Sequence, residues 1–128
     1  MSLKAEEDAS GLVAALEGGV FAARVQAARV LWWLASECPD IVLPFLPHLV
    51  AALKDNCRDV RKWAAGALCK VAKKRPNAIA SHVSALVSAL DDNDKGVRCR
   101  VAGALAHFAL GYDKIGLKQT RRDGGKRC

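Results

Sequence analysis

Tryptophan and basic residues are the side chains whose types and spacing in this sequence favour binding. The chain has three tryptophans, Trp32, Trp33 and Trp63, and 20 lysines and arginines against 13 acids, which gives a net charge of +7. Aromatic and arginine side chains are the anchors that binding surfaces favour. Basic residues interleaved with tryptophan suit an acidic protein segment, or a phosphate backbone with a stacked base.

Catalytic chemistry has little support in the sequence. His48, His82 and His107 are isolated from one another, and the chain has no Ser/His/Asp or Cys/His arrangement and no glycine-rich phosphate loop. The five cysteines are odd in number, form no CxxC pair and have no histidine at metal-ligand spacing. We therefore predict a non-enzymatic protein with no catalytic residue, no metal site and no cofactor.

The composition is that of a soluble, helical protein in a reducing compartment. The 128 residues are 52% hydrophobic and 26% charged, alanine is abundant, and β-branched runs are scarce. Apolar runs are too short for a membrane span, the first residues have no apolar signal core, and the cysteine pattern favours free thiols. We predict an intracellular protein, cytoplasmic or alternatively nuclear, with no membrane association.

A 37-residue repeat organises the chain and must position the candidate binding residues. Residues 39–75 and 76–112 are identical at 14 of 37 positions without a gap, and residues 23–35 keep part of the same pattern. Self-similarity at such a period is typical of stacked repeats. We predict a repeat domain over residues 1–111, with units at about 2–38, 39–75 and 76–111.

Each unit is predicted to contain two helices. In the second unit, apolar residues spaced three and four apart predict a first helix over about Ile41–Lys54, which Pro44 and Pro47 bend near its start. Asp55-Asn56 is the predicted turn and N-cap, and the second helix is predicted over about Arg58–Lys74. The third unit repeats this plan, with an apolar stripe on its first helix formed by Val83, Leu86, Val87 and Leu90.

Second-helix positions outside the predicted core form the candidate surface. The candidate partner-binding residues are Arg29, Trp33, Lys62, Trp63, Lys70, Lys73, Arg100 and His107. Trp32 lies in a neighbouring row, and Trp32 or Trp33 could instead fill a gap between the first two units, an alternative that also applies to Trp63. Gly66 and Gly103 cost helix stability relative to alanine, so they either allow a partner to approach closely or have no particular role.

The repeated pattern resembles HEAT repeats. Asp55, Val60-Arg61 and Ala65-Gly66-Ala67-Leu68 carry the resemblance in the second unit, and Asp92, Val97-Arg98 and Ala102-Gly103-Ala104-Leu105 carry it in the third. The first unit keeps Arg24 but has Gly18 in place of the aspartate. The resemblance implies an all-α fold, a right-handed solenoid of three two-helix repeats. It also implies that the aspartates and arginines form a structural ladder, here Arg24, Arg61 and Arg98 with Asp55 and Asp92.

The resemblance implies a protein-interaction scaffold whose second helices form a concave surface. The expected partner is an acidic or mixed-polarity protein segment. A nucleic acid held by the same face is the alternative, because the second unit alone has eight basic and three acidic residues. HEAT-like enzymes that excise alkylated DNA bases or attach bilins are remote alternatives, since the second helices offer no catalytic acid on that face. Fold alone does not choose among these functions.

The two ends of the repeat domain differ in character. The first helix begins with acidic and polar residues, which suit a capping unit. Residues 112–128 contain six lysines and arginines and read either as a mobile basic tail or as the start of a fourth unit. The outer face of the third unit has no evident polar cap, so we predict weak self-association through it.

Overall fold

The computed structural model describes residues 11–116, and every regular element in that range is helical. The elements are α1 (residues 11–16), α2 (Phe21–Glu37), α3 (Pro39–Val42), a 3-10 helix (Leu43–Phe45), α4 (Leu46–Ala52), α5 (Arg58–Lys74), a second 3-10 helix (Pro76–His82), α6 (Val83–Ala89) and α7 (Lys95–Gly116). None of these helices is long and apolar enough to span a bilayer.

The long helices α2, α5 and α7 form one layer, with α5 packed between the other two. The shorter helices α4 and α6 pack on α5 and α7 and form the second layer. This arrangement confirms the predicted all-α solenoid. The bounds predicted for the second helix of the second unit, Arg58–Lys74, are also those of α5.

Small residues let the long helices approach closely. Helix α5 has four fully buried alanines, Ala64, Ala65, Ala67 and Ala72. Ala28 of α2, which is equivalent to Ala65, is also fully buried. Larger side chains close the space between the two layers, and the largest fully buried ones are Leu31, Leu49, Leu68, Ile79 and Leu86. On α5 the residues Val60, Ala64, Ala67, Leu68 and Val71 are all fully buried and face the core.

Prolines divide the first helix of the second unit. One continuous helix was the expectation over Ile41–Lys54, but the chain forms α3, a 3-10 helix and α4 instead. Each of the three segments has a proline in its first or second position. A proline has no N–H to donate, so the helical hydrogen-bond ladder restarts at each one.

The predicted capping by Asp55 and Asn56 is wrong for α5. Cys57 occupies the N-cap position and makes no side-chain capping bond. Asp55 Oδ1 instead accepts the Cys57 N–H at 2.8 Å, so the aspartate shapes the turn before the helix. Only the third unit has a side-chain cap within the described range, where Asp94 Oδ2 accepts the Val97 N–H at 3.0 Å.

The third unit departs from the predicted pattern on its outer side. Leu86 is fully buried, but Val87 is 51% exposed and Leu90 36% exposed. Leu53, the equivalent of Leu90 one repeat earlier, is buried because the third unit follows it. Helix α7 continues to Gly116, past the predicted boundary at residue 111. The first ten residues and the tail from residue 117 onward lie outside the described residues.

Candidate functional site

Two arginine–aspartate pairs join consecutive units. Arg24 Nε donates to Asp55 Oδ2 at 2.9 Å and its Nη2 donates to Oδ1 at 3.2 Å. Arg61 makes the same two bonds to Asp92, at 2.8 and 3.2 Å. All four side chains are at least 86% buried. These bidentate contacts have an anchoring role between units, because a planar guanidinium matches the two carboxylate oxygens.

The ladder arginines also hold the turn of their own unit. Arg24 Nη1 donates to the Gly18 carbonyl at 3.0 Å, and Arg61 Nη1 donates to the Asp55 carbonyl at 2.9 Å. Arg98 repeats this bond, from Nη1 to the Asp92 carbonyl at 2.8 Å. Within residues 11–111, however, no carboxylate pairs with Arg98. The structure therefore places two of the three predicted ladder arginines on their acids.

Asp92 is the acid whose ionisation the ladder perturbs. Burial raises the pKa of this carboxyl, but hydrogen bonds from the Asp94 amide and the Arg61 guanidinium, with the charges of Arg61 and Arg98, outweigh burial. The pKa of Asp92 is consequently below its ordinary value of 3.8. The carboxylate form is the one that the fold stabilises.

A tryptophan pair with two cations lies across the α2–α5 junction. The rings of Trp32 and Trp63 meet edge to face, with centroids 5.2 Å apart and an interplanar angle of 63°. Arg29 Cζ lies 5.7 Å from the ring centroid of Trp63, and Lys70 Nζ lies 5.6 Å from that of Trp32. Such distances are typical of cation–π contacts. We call these four residues the tryptophan–cation cluster.

Both rings of the cluster are half-buried and pack on the core. Trp63 was predicted as a surface anchor, but its ring also fills space between α2 and α5. Trp32 is not one of the candidate partner-binding residues, yet it lies at the centre of the cluster.

Gly66 makes room for the Trp32 ring. A Cβ at residue 66 would lie 2.9 Å from Trp32 Cδ1 and 3.3 Å from its Nε1. Gly103, one repeat later, is less crowded, since its Cβ would meet only Cys69 Sγ at 3.1 Å. The sequence suggests that these glycines either allow a partner to approach or have no particular role. Neither interpretation describes Gly66, because the group that approaches it closely is the Trp32 ring of the same chain.

The remaining predicted residues surround the cluster without joining it. Lys62, Lys70, Arg100 and His107 are half-buried, whereas Arg29, Lys73 and Trp33 are exposed. Trp33 is 53% exposed and takes no part in the ring contacts. Because an α-helix turns by about 100° per residue, Trp33 leans away from the side of α2 that carries Trp32.

The cations of this face have no acidic partner in the part of the chain that the structure describes. Arg29, Lys62, Lys70, Lys73 and Arg100 form no ion pair with any described residue. Arg100 Nη1 donates to the Gly96 carbonyl at 3.2 Å. By contrast, Arg24, Arg58, Arg61 and Arg75 all have a carboxylate within 4 Å. The face therefore carries positive charge that is not used for ion pairs within residues 11–111.

Cys69 lies among these cations but is not activated by them. Burial raises the pKa of its thiol, while the charges of Lys70, Lys73 and Arg100 lower it by less. The net shift is upward, so the thiol form predominates at neutral pH. Cys69 is a packing residue beneath the charged face, next to Gly103.

The layer of short helices carries one contact that the sequence interpretation missed. His48 Nδ1 and Glu17 Oε2 form a close contact that joins α4 to the end of α1. The two residues are 31 positions apart, which is also the spacing of both ladder pairs. That recurring spacing is the signal that could have found the contact. No group of three or more potential ligands within residues 11–111 is arranged to hold a metal ion.

Known proteins resemble the chain in both sequence and structure. A family model described as HEAT repeats matches residues 46–119. The crystal structure of an engineered protein, a structural genomics target, is 31% identical and superimposes with a TM-score of 0.73. That match covers 84% of this chain and 47% of the engineered protein, so this chain spans about half its length. No curated protein matches the sequence.

Proposed function

Since the chain belongs to the HEAT-repeat family, whose repeats generally mediate protein–protein interaction, we propose that it is a non-enzymatic interaction module. Its partner is an acidic or mixed-polarity segment of another protein, laid across α2, α5 and α7. The observation that carries this proposal is the set of five second-helix cations without a carboxylate partner among the described residues. We call this surface the cationic face.

The tryptophan–cation cluster is the proposed anchor of the cationic face. Stacking on the indoles limits the motion of Arg29 and Lys70, so less side-chain entropy is lost when a carboxylate pairs with them. The guanidinium edge of Arg29 keeps its N–H donors available for a carboxylate while its plane lies near Trp63. The apolar edges of the two rings suit aliphatic side chains between the partner's acids.

The outer part of the face extends the proposed contact along the solenoid. Lys62 and Arg100 both approach Gly96, where an added Cβ would lie 3.0 Å from Lys62 Cε and 3.1 Å from Arg100 Nη1. The atom nearest to that Cβ would be Asp94 Oδ2, at 2.9 Å, so these two cations approach each other beside a carboxylate. Lys73 and His107 continue the row toward the helix ends, and Trp33 borders it at the first unit.

Peptide binding tests this proposal. Fluorescence anisotropy of a labelled peptide of alternating glutamate and leucine is measured against the protein at physiological ionic strength, beside a lysine–leucine peptide and a single-stranded oligonucleotide. We expect the glutamate peptide alone to bind. Arg29→Ala and Lys70→Ala should each weaken binding about threefold to tenfold, as expected for charge-assisted contacts at a partly exposed site.

Lys54→Ala is the matched control, because it removes the same charge from an exposed residue outside the cationic face. It should leave the affinity within about twofold of the original value, since a distant surface charge is largely screened at this ionic strength. Equal losses in the control and in Lys70→Ala would mean general electrostatic attraction and would contradict the proposed site. Tight oligonucleotide binding with no peptide binding would favour the nucleic-acid alternative.

A further inference from the structure

The two sides of the long-helix layer that have no neighbour among residues 11–116 are mostly small or apolar in composition. We define the leading face as the side of α2 turned away from α5, with Ala23, Gln26, Val30 and Trp33. We define the trailing face as the side of α7 turned away from α5, with Cys99, Ala102, Ala106 and Ala109. Neither set contains a charged residue. We propose that the trailing face of one molecule stacks on the leading face of a second copy.

Exposure changes at equivalent positions support this proposal for the leading face. Val60 and Val97 begin the α5 and α7 faces that pack on the preceding long helix, and both are fully buried. Their equivalent in the first unit, Ala23, is exposed. Val30 is 38% exposed, whereas the equivalent Ala67 is fully buried. The leading face is thus equivalent to the rows of α5 and α7 that pack on a preceding helix, but among the described residues no helix precedes α2 on that side.

On the trailing face, too, residues are exposed whose equivalents one repeat earlier are buried. Ala65 and Ala72 of α5 are fully buried beneath α7. Their equivalents on α7, Ala102 and Ala109, are exposed. The trailing row is small and uncharged throughout, whereas the leading row carries the larger Val30 and Trp33. Small residues also line the α5 side of the α5–α7 contact, at Ala65 and Ala72, so a second copy would continue an interface that the chain forms internally.

Arg98 supplies an independent observation at the same junction. Its Nη1 bond to the Asp92 carbonyl gives it the position that Arg24 and Arg61 have in their own units. Those two arginines direct Nε and Nη2 to an aspartate of the following unit, but Arg98 has no such acid in the described part of the chain. In the proposed stack, the Gly18-Gly19 turn of the next copy would lie beneath Arg98. Gly18 has no carboxylate, so this stack lacks the ladder pair and is weaker than the internal interfaces.

Stacking of unlike faces is heterologous and leaves one face free at each end, so it produces open chains rather than closed dimers. Sedimentation velocity at increasing concentration tests this directly. The unmodified protein should show a sedimentation coefficient that rises with concentration. Val30→Glu blocks the leading face and Ala106→Glu the trailing face, and each variant alone should remain monomeric. Both positions are exposed, so folding is retained, as circular dichroism would verify.

Mixing the two variants separates this proposal from symmetric association. An equimolar mixture of Val30→Glu and Ala106→Glu has one competent pair of faces and should form a single heterodimer. A monomeric unmodified protein at every concentration would overturn the proposal. Association of either variant alone would overturn it as well, because it would require contact between like faces or an unrelated surface.

A gain-of-function variant tests the role of Arg98. Gly18 has space for a side chain, since an added Cβ would approach only carbonyl oxygens at 3.4 Å or more. Its φ is not positive, so an aspartate is tolerated there. Gly18→Asp should tighten association roughly tenfold by restoring a charge-assisted pair, and Arg98→Ala should abolish that gain. Gly18→Ala is the control, and equal tightening by it would refute the ladder contact.

Discussion

Gly66 and Gly103 occupy equivalent positions of consecutive repeats, yet alanine should have opposite effects at the two sites. Replacing a helix-interior glycine by alanine stabilises a helix by about 0.8–1 kcal/mol. At residue 103 the added Cβ would meet only Cys69 Sγ at 3.1 Å, which requires a shift of a few tenths of an ångström. Gly103→Ala should therefore raise the free energy of unfolding by up to about 1 kcal/mol.

The same change at residue 66 meets an aromatic ring. The Cβ would lie 2.9 Å from Trp32 Cδ1, and Trp63 restricts the movement of that ring from the other side, at a centroid distance of 5.2 Å. Overpacking of this kind costs about 1–3 kcal/mol, which exceeds the gain in helix propensity. Gly66→Ala should therefore lower the free energy of unfolding by up to about 2 kcal/mol.

Thermal unfolding followed by circular dichroism measures the difference between the two variants. The combined difference of about 1–3 kcal/mol corresponds to roughly 4–12 °C in Tm for a domain of this size. Tryptophan emission provides a second readout, because only Gly66→Ala displaces an indole. Equal stabilisation by both substitutions, with unchanged emission, would refute the packing of Trp32 against Gly66.

Three further predictions concern stability. Gly111→Ala should lower Tm by several degrees in a melting experiment, because its Cβ would overlap the Pro76 ring, and an unchanged Tm would exclude that contact. Trp63→Ala should lower the free energy of unfolding by about 3 kcal/mol in urea titration, since a large half-buried ring is lost; a loss below about 0.5 kcal/mol would mean that the ring is not part of the packing. Because the pKa of Asp92 is lowered in the folded state, its carboxylate stabilises the fold fully above pH 3.8. That stabilisation is lost as the pH falls through the lower pKa of the folded state. Asp92→Asn should therefore flatten the acid limb of a stability–pH profile, and an unaltered limb would contradict the pairing with Arg61.

The parts of the fold that repeat could be predicted from the sequence. A 37-residue period fixes which positions are equivalent, and the apolar spacing within one unit indicates the buried row of α5. The ladder of arginines and aspartates is what the resemblance to HEAT repeats implies. The spacing of 31 between ladder partners recurs as Arg61 and Asp92 because both pairs cross the same kind of unit boundary.

Features that depend on a contact between two particular side chains, and that do not recur in every repeat, could not be predicted in the same way. Whether Trp32 or Trp33 turns toward α5 depends on the rotation of α2, and two adjacent aromatic residues give no periodic signal. The gap that receives Trp32 exists only because residue 66 is glycine, which the sequence alone does not relate to a position 34 residues earlier. The displaced cap of α5 has a similar cause, since Asp55 is shared between its turn and Arg24.

The central claim is that an acidic segment binds the cationic face of the second helices, and the indole N–H signals of the three tryptophans test it most directly. In a ¹⁵N–¹H correlation spectrum, each indole gives its own peak. We predict that the glutamate–leucine peptide shifts the Trp32 and Trp63 peaks more than the Trp33 peak. Saturable shifts confined to Trp33, or to backbone signals of α4 and α6, would place binding elsewhere and contradict the account.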